Sequence, residues 1–206
     1  VVKRSRDGHI QFQEAIGAVP EFQTQFTDNY LSRSFQMAAY SIAAHEALGM
    51  KRQIFFIDYG GWDHHDEVLS NQNDMFYDLD NALGEFADAL AELGLGKQVT
   101  TFTMSEFGRT LTSNGNGTDH AWGGNVMVMG DDVIGKRIYG EYPTLALQSS
   151  IELGSGVLIP QLSADQYFAE LALWFGVSPS ELSLIFPTLT NFYQPGGNPP
   201  IGFLNI

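Results

Sequence analysis

The stretch that decides the predicted fold runs from Gln53 to Met104 and contains two short strand-like runs. The first run, QIFFIDY at 53–59, is almost wholly apolar, which is typical of a strand buried in a parallel sheet. The second run, QVTTFTM at 98–104, is rich in β-branched residues, which favour strands. Each run therefore predicts a strand.

A helical pattern lies between the two runs. Hydrophobic side chains recur every three or four positions from Phe76 to Leu93, and Gly94 and Gly96 end the repeat. A strand, a crossover helix and a second strand form a βαβ unit, whose two strands are parallel. We therefore expect the two runs to be neighbours in one parallel sheet, bridged by a helix over roughly 68–93.

Elements outside this stretch extend the same pattern. A helical repeat begins at Asp28, and capping signals at Ser163 and Ser178 mark the starts of two later helices. The run from Asn125 to Met129 predicts a third strand. Together these elements predict an α/β fold, with a mostly parallel sheet and helices on both faces.

The length of 206 residues favours one domain over two. We predict a single α/β domain over 1–194 and an extended C-terminal tail over 195–206, where glycine and proline dominate. The chain begins with Val1 rather than Met, so we expect either removal of an N-terminal segment or a longer parent protein.

The composition excludes several classes of protein. Ten basic residues against 24 acidic ones give a net charge of −14, which repels nucleic acid. No apolar run reaches the roughly 18 residues of a membrane span, so we expect none. The absence of cysteine excludes disulfides, thiolate catalysis and iron–sulfur clusters, and it fits an exported bacterial protein.

Three polar clusters lie at the ends of the predicted strands. They are GGWDHHD at 60–66, SEFGRT at 105–110 and GTDHAWGG at 117–124. Ligands of open α/β sheets bind beyond the carboxyl ends of the strands. Asp and His side chains gathered there from several loops suit a hard or borderline divalent metal ion, so the sequence predicts a metal site.

Each cluster also has a structural interpretation. Asp63 can cap the helix that follows it, and Ser105 with Glu106 can cap a loop. Asp119 and His120 stand between glycines, as turn residues often do. The two tryptophans of the clusters, Trp62 and Trp122, either line the cleft or pack beneath it.

Four stretches resemble a large, uncharacterised family of exported bacterial proteins that is itself similar to the alkaline phosphatase and sulfatase superfamily. They are GGWDHHD (60–66), TFTMSEFGRTLTSNGNGTDHAWGGN (101–125), VMGDDVIGKRIYGEYP (128–143) and LIPQLSADQYFAELALWFGV (158–177). The resemblance implies an alkaline-phosphatase/sulfatase-like fold, of which this chain is the C-terminal part. An N-terminal partner segment then completes the fold.

The resemblance also implies a ligand set for one or two divalent ions such as zinc or manganese. The matching positions in this chain are Asp63, His65, Glu106, Asp119 and His120. His64 stands where relatives more often carry a small polar residue, so either member of the histidine pair can face the metal. Ser105-Glu106 replaces an Asp-His pair, which removes one nitrogen ligand and favours a single, oxygen-rich site.

Arg109 is the candidate catalytic residue, because a guanidinium beside a metal can clamp a phosphate or sulfate at two points. A salt bridge to a neighbouring carboxylate is the alternative. The nucleophile of the superfamily follows a strand that this chain lacks. The hydroxyls of Ser105, Thr110 and Thr118 are more typical of turns and caps.

Two functions follow from these observations. The first is a metal-dependent hydrolase that acts on small phosphate or sulfate esters. Members of the family commonly carry a twin-arginine export signal, which this sequence does not show, so the resemblance implies export to the periplasm or the cell exterior. The second is a non-catalytic secreted binding or structural protein that retains the fold. Fold kinship alone does not choose between them.

Overall fold

A computed structural model describes residues 2–194 and 196–206. The described residues form five α-helices: α1 (Val2–Gly17), α2 (Tyr30–Ala43), α3 (Val68–Leu93), α4 (Ala164–Phe175) and α5 (Leu182–Ile185). They also form four short strands: β1 (Thr101–Phe102), β2 (Gly108–Ser113), β3 (Thr118–Ala121) and β4 (Val128–Met129). No helix of this described part combines the length and apolar character needed to cross a bilayer.

The predicted α/β class is wrong. The strands form two separate two-stranded sheets, β1 with β4 and β2 with β3, and both pairs are antiparallel. The described residues therefore contain no parallel sheet with helices on both faces, and the alkaline-phosphatase/sulfatase-like arrangement is absent from them.

The predicted first strand, 53–59, fails because its backbone lacks a partner. Its N–H and C=O groups make no hydrogen bond to any other described backbone group, whereas a sheet requires a ladder of such bonds. Its side chains are not buried either, since Ile54 is 78% exposed and Phe56 is 77% exposed. The apolar composition of the run does not specify a backbone neighbour, and without a neighbour the run is not a strand.

The other two predicted strands are short and pair with each other. Thr101 lies opposite Met129, and Phe102 lies opposite Val128. The predicted parallel pairing of 98–104 with 53–59 is therefore wrong. The helix predictions fared better, because α3 spans the expected range and α4 begins with the expected capping box of Ser163 and Gln166.

The described chain divides into two compact units. The helical unit contains residues 2–62 and 70–96, and the loop-rich unit contains 63–69 and the described residues from 97 onward. In the helical unit, the buried faces of α2 and α3 meet, with the rings of Phe35 and Phe86 at 4.9 Å between centroids.

Two carboxylates of α3 hold the segment that precedes α2. Glu92 accepts hydrogen bonds from the backbone N–H groups of Gln23 at 2.9 Å and Thr24 at 2.6 Å. Glu85 accepts from the backbone and the hydroxyl of Thr27, at 3.0 and 2.6 Å. Side chains of one helix thereby replace the backbone partners that this irregular segment lacks.

In the loop-rich unit, α4 organises the core. Tyr167 and Leu171 of α4 pack with Phe203 and Leu204, which lie in the segment predicted as an extended tail. Pro195, the first residue of that tail, lies outside the described residues.

Glu170 lies on the same helix and is completely buried. Its two carboxylate oxygens accept four backbone N–H groups, from Ile201, Gly202, Phe203 and Leu204, at 2.5 to 2.8 Å. Because a buried charge needs full hydrogen bonding, this arrangement fixes the segment 201–204 against α4.

Candidate metal site

The site is built on the β2–β3 hairpin of the loop-rich unit. The two strands place Arg109 directly opposite His120. Their connection is rich in asparagine and glycine, and the Asn114 side chain accepts the Gly117 N–H at 2.9 Å while the Asn114 N–H donates to the Gly117 carbonyl at 3.1 Å. Side-chain and backbone bonds therefore close this turn together.

The loop that follows Trp62 lies along this hairpin. Thr118 donates its N–H to the His64 carbonyl at 3.1 Å, and Asn114 donates its side-chain amide to the His65 carbonyl at 3.2 Å. Gly117 permits the approach, since a Cβ there would lie 2.3 Å from the His65 carbonyl carbon. The loop is therefore fixed beside β3 through backbone contacts.

Three candidate ligands meet where the loop and the hairpin join. Oδ1 of Asp63 lies 3.0 Å from Nε2 of His65 and 2.8 Å from Nε2 of His120. The two Nε2 atoms are 3.2 Å apart. The three side chains are about half exposed, so one side of this triangle is open to solvent.

The geometry fits a metal ion of zinc size. Ligands bonded at about 2.1 Å in a tetrahedron lie roughly 3.4 Å from one another, close to the three distances found here. Two neutral imidazoles that face each other through Nε2 need either a shared proton or a cation between them. The donor set, two nitrogens and one carboxylate oxygen, suits zinc or a similar borderline ion.

Further side chains orient the two imidazoles. Oδ1 of Asp119 lies 3.3 Å from Nδ1 of His65, and Asn114 donates to the same carboxylate oxygen at 3.1 Å. The ring of Phe107 stacks on His120 with 3.9 Å between centroids and an interplanar angle of 11°. Partners of this kind fix the ring and the tautomer of a metal-binding histidine.

Arg109 makes its hydrogen bonds inside the protein. Nη1 donates to Oδ1 of Asp63 at 2.5 Å, Nη2 donates to the carbonyls of His64 and Thr118, and Nε donates to the Thr118 hydroxyl at 2.9 Å. Its side chain is 17% exposed. The guanidinium therefore holds the loop and β3 together and is not turned toward a substrate.

The surroundings of Asp63 favour its charged form on balance. Desolvation raises the pKa of the Asp63 carboxyl, while hydrogen bonds from His120 and Arg109 and the charges of His120 and His65 lower it. The lowering contributions prevail, and the pKa lies below the usual value. The Asp63 carboxylate is thus anionic over the ordinary pH range.

The other residues that the sequence predicts for the site lie outside the triangle. Glu106 is exposed and contributes no atom to the triangle. Of the adjacent histidines, His65 belongs to the triangle and His64 is buried. Trp122 is 67% exposed, whereas Trp62 packs edge to face on Tyr59 and Phe76 within the helical unit.

The candidate nucleophiles are held by hydrogen bonds. The hydroxyl of Ser105 donates to the Phe107 carbonyl, and that of Thr110 donates to the Thr112 carbonyl. Sequence reasoning missed the supporting roles of Phe107 and Asn114. Their signals were present, because Phe107 lies two residues before Arg109 and Asn114 opens the asparagine-glycine turn.

The chain matches a known family over most of its length. Residues 11–166 match the model of a family described as "Protein of unknown function (DUF1501)". The match includes the loop after Trp62, the β2–β3 hairpin and all three candidate ligands. No curated protein and no solved structure matches the chain.

Proposed function

The chain belongs to the DUF1501 family, and we propose that it binds one divalent transition-metal ion through Asp63, His65 and His120 and hydrolyses phosphate or sulfate esters. The observation that carries the proposal is the triangle of Oδ1 and two Nε2 atoms, at 2.8 to 3.2 Å from one another. The resemblance of the site motifs to the alkaline phosphatase and sulfatase superfamily supports the ester substrate.

Each surrounding side chain has a defined task in this proposal. Asp119 orients His65, Phe107 supports His120, and Arg109 positions Asp63. A bound divalent ion supplies a polarised ester oxygen and a bound water of lowered pKa. The exposed side of the triangle admits a small anionic ester, and exposed Glu106 lies outside the ligand set.

A second candidate function is metal binding without catalysis, in a secreted binding or structural protein. The hydrogen bonds of Arg109 to Asp63, His64 and Thr118 favour it, because they leave the guanidinium no free donor pair for the substrate's charge. The hydroxyls of Ser105 and Thr110 are engaged as well. A hydrolase built on this site would therefore not use either of these two hydroxyls as its nucleophile.

We also propose that the protein is exported, to the periplasm or the cell exterior. The sequence contains no cysteine, so oxidation in that compartment cannot mispair it. Fractionation of a bacterium that produces the protein from its own gene tests this. Recovery in the cytosolic fraction contradicts export.

Calorimetric titration with Zn²⁺ and with Mn²⁺ tests the site. We expect one ion per chain, and we expect Asp63→Asn to weaken its binding by at least about tenfold because the anionic ligand is lost. Asp88→Asn is the matched control, since Asp88 is an exposed carboxylate on α3. Equal affinities in the two variants overturn the proposed site.

Turnover separates the two candidate functions. The zinc- and manganese-loaded chains are assayed with an aryl phosphate and an aryl sulfate, with Asp63→Asn as the inactive comparison. Hydrolysis that Asp63→Asn abolishes supports the hydrolase. Tight metal binding with no hydrolysis above that variant supports the non-catalytic protein instead.

A further inference from the structure

The distances within the triangle of Asp63, His65 and His120 fit one coordination geometry best. Oδ1 of Asp63 lies 2.8 Å from Nε2 of His120 and 3.0 Å from Nε2 of His65, and the two Nε2 atoms are 3.2 Å apart. For metal bonds of about 2.1 Å, ligands at right angles lie roughly 3.0 Å apart, whereas those of a tetrahedron lie roughly 3.4 Å apart. All three separations are shorter than the tetrahedral value, so they match three ligands on one face of an octahedron.

Neighbouring groups hold the ligands in this arrangement. Nη1 of Arg109 donates to Oδ1 of Asp63 at 2.5 Å. Oδ1 of Asp119 lies 3.3 Å from Nδ1 of His65, the ring nitrogen that is not part of the triangle. A tetrahedral ion requires the distance between Oδ1 of Asp63 and Nε2 of His120 to widen from 2.8 to roughly 3.4 Å. The contacts that fix these side chains therefore favour the octahedral arrangement.

We propose that Asp63, His65 and His120 occupy one face of a six-coordinate metal centre. The opposite face binds a small monocarboxylate that carries a second oxygen on the neighbouring carbon, as 2-hydroxy- and 2-oxocarboxylates do. This inference rests on the proposed metal binding, and it adds the coordination number and a class of ligand. It does not depend on ester hydrolysis.

The donor set and the exposure of the triangle suit an ion that accepts six ligands. Two imidazoles and one carboxylate on one face are typical of Fe²⁺ sites, and Co²⁺ and Mn²⁺ accept the same geometry, whereas Zn²⁺ prefers four ligands. Three protein ligands on one face leave three adjacent positions of an octahedron. The three side chains are about half exposed, so these positions lie on the side that is open to solvent.

Charge favours a ligand with a single negative charge. Histidines bind a metal in their neutral form, so a divalent ion together with the Asp63 carboxylate retains one positive charge. This charge attracts an anion to the open face. The net charge of −14 on the chain repels anions in general, and it repels a doubly charged anion more strongly than a singly charged one. A monocarboxylate satisfies both conditions.

The hydrogen bonds of Arg109 favour a ligand that chelates the metal. Its guanidinium donates to Asp63 and to the carbonyls of His64 and Thr118, so it is not turned toward a bound anion. An anion held by the metal alone gains from a second metal bond, because the second oxygen is already close to the ion once the first has bound. Two oxygens on neighbouring carbons can occupy adjacent positions of the octahedron without strain.

Loading the chain with Co²⁺ tests the coordination number. Calorimetry gives the number of ions bound, and visible absorption and circular dichroism are then measured on the dialysed complex. Six-coordinate Co²⁺ absorbs weakly and is pink, whereas tetrahedral Co²⁺ absorbs intensely and is blue. We expect one bound ion with weak absorption, together with visible circular dichroism, which free Co²⁺ lacks.

Two variants assign this signal to the triangle. We expect Asp63→Asn to lose the visible circular dichroism and Asp88→Asn, a change at an exposed carboxylate of α3, to keep it. One bound Co²⁺ with intense blue absorption overturns the six-coordinate centre and leaves the proposed metal binding intact. A chain that binds no Co²⁺, or binds it equally well in both variants, overturns the metal site and the six-coordinate centre together.

Glycolate and acetate test the class of ligand, because they differ only in the hydroxyl next to the carboxylate. Each is titrated into the Co²⁺-loaded chain and into the metal-free chain, and binding is followed by calorimetry and by the visible circular dichroism. We expect the loaded chain to bind glycolate at least about tenfold more tightly than acetate, and the metal-free chain to bind neither. Equal affinities for the two acids, or binding of glycolate without the metal, overturn the chelated carboxylate.

Discussion

Two carboxylates of the loop-rich unit gather several donors each, and their surroundings differ. Glu170 is completely buried, and four backbone N–H groups of 201–204 surround it. Asp63 is about half exposed, and its Oδ1 faces Arg109, His65 and His120. The Glu170 carboxylate is enclosed by backbone N–H groups, whereas the Asp63 carboxylate contacts side chains and solvent.

The comparison distinguishes Glu170, which anchors the fold, from Asp63, which belongs to the candidate site. A backbone N–H cannot lose its proton under ordinary conditions, so the partners of Glu170 are permanent. An imidazole can release a proton and offer the same nitrogen to a cation. Because Asp63 also lies next to solvent, its partners can be exchanged, whereas those of Glu170 cannot.

The largest expected effect comes from removing the buried carboxylate. Glu170→Ala leaves four N–H groups without an acceptor in the interior, and we expect the free energy of unfolding to fall by about 3 kcal/mol or more. Urea unfolding measures the change. Glu141→Ala is the control, since Glu141 is exposed, and we expect a change below about 0.5 kcal/mol. Equal losses would show that Glu170 is not an anchor.

A smaller loss of stability is expected for a change at Arg109. Arg109→Lys keeps the charge but loses the forked donors that join Asp63, His64 and Thr118, and we expect a loss of about 1–2 kcal/mol in stability. We expect zinc binding to weaken by roughly tenfold, because Asp63 loses its fixed position.

The control for this change is Arg33→Lys, because Arg33 is an exposed arginine that also bonds a carboxylate, that of Asp28. We expect it to leave both the urea midpoint and the zinc affinity unchanged within error. If Arg109→Lys changes stability but leaves zinc affinity untouched, Arg109 supports the fold alone and does not position the ligand.

The smallest expected effect concerns Glu92, which is exposed like Asp63 but accepts backbone N–H groups like Glu170. The Glu92 carboxyl accepts hydrogen bonds from the Thr24 hydroxyl and from the backbone N–H groups of Gln23 and Thr24. These bonds lower its pKa below the usual 4.5, and desolvation opposes them only in part. A depressed folded-state pKa contributes stability above the unfolded value and loses it as pH falls through the folded value. We therefore expect Glu92→Gln to flatten the acid limb of the stability curve below about pH 4.5.

Thermal unfolding at a series of pH values measures this limb. Asp88→Asn again provides the comparison, because it changes an exposed carboxylate of the same helix. A limb with the same slope in Glu92→Gln and in the unaltered chain would show that these hydrogen bonds do not contribute to acid unfolding.

The local elements could be predicted from the sequence, but the sheet could not. The hydrophobic repeat of α3 and the capping box at Ser163 depend only on residues that are close together in the sequence, and both are present in the structure. The sheet depended on a long-range choice, namely which backbone faces 53–59. Nothing in QIFFIDY specifies that partner, and the predicted fold class failed at this step.

The candidate ligands could be listed from the sequence, but their grouping could not. Asp63, His65 and His120 were identified as residue types suited to a metal ion, and the structure brings them together from a loop and a hairpin. Their proximity was predicted from a parallel sheet edge that the described residues do not form. The composition of the two strands does not predict that Arg109 lies opposite His120 in the antiparallel pair.

The space reserved at Gly117 has a consequence for evolutionary change. Any Cβ at this position would lie 2.3 Å from the backbone of His65, so even alanine forces the loop away from β3. The three candidate ligands are about half exposed, so a changed side chain at those positions meets no such obstacle. Gly117 is therefore closed to substitution, whereas the exposed positions of Asp63, His65 and His120 leave room for a changed side chain.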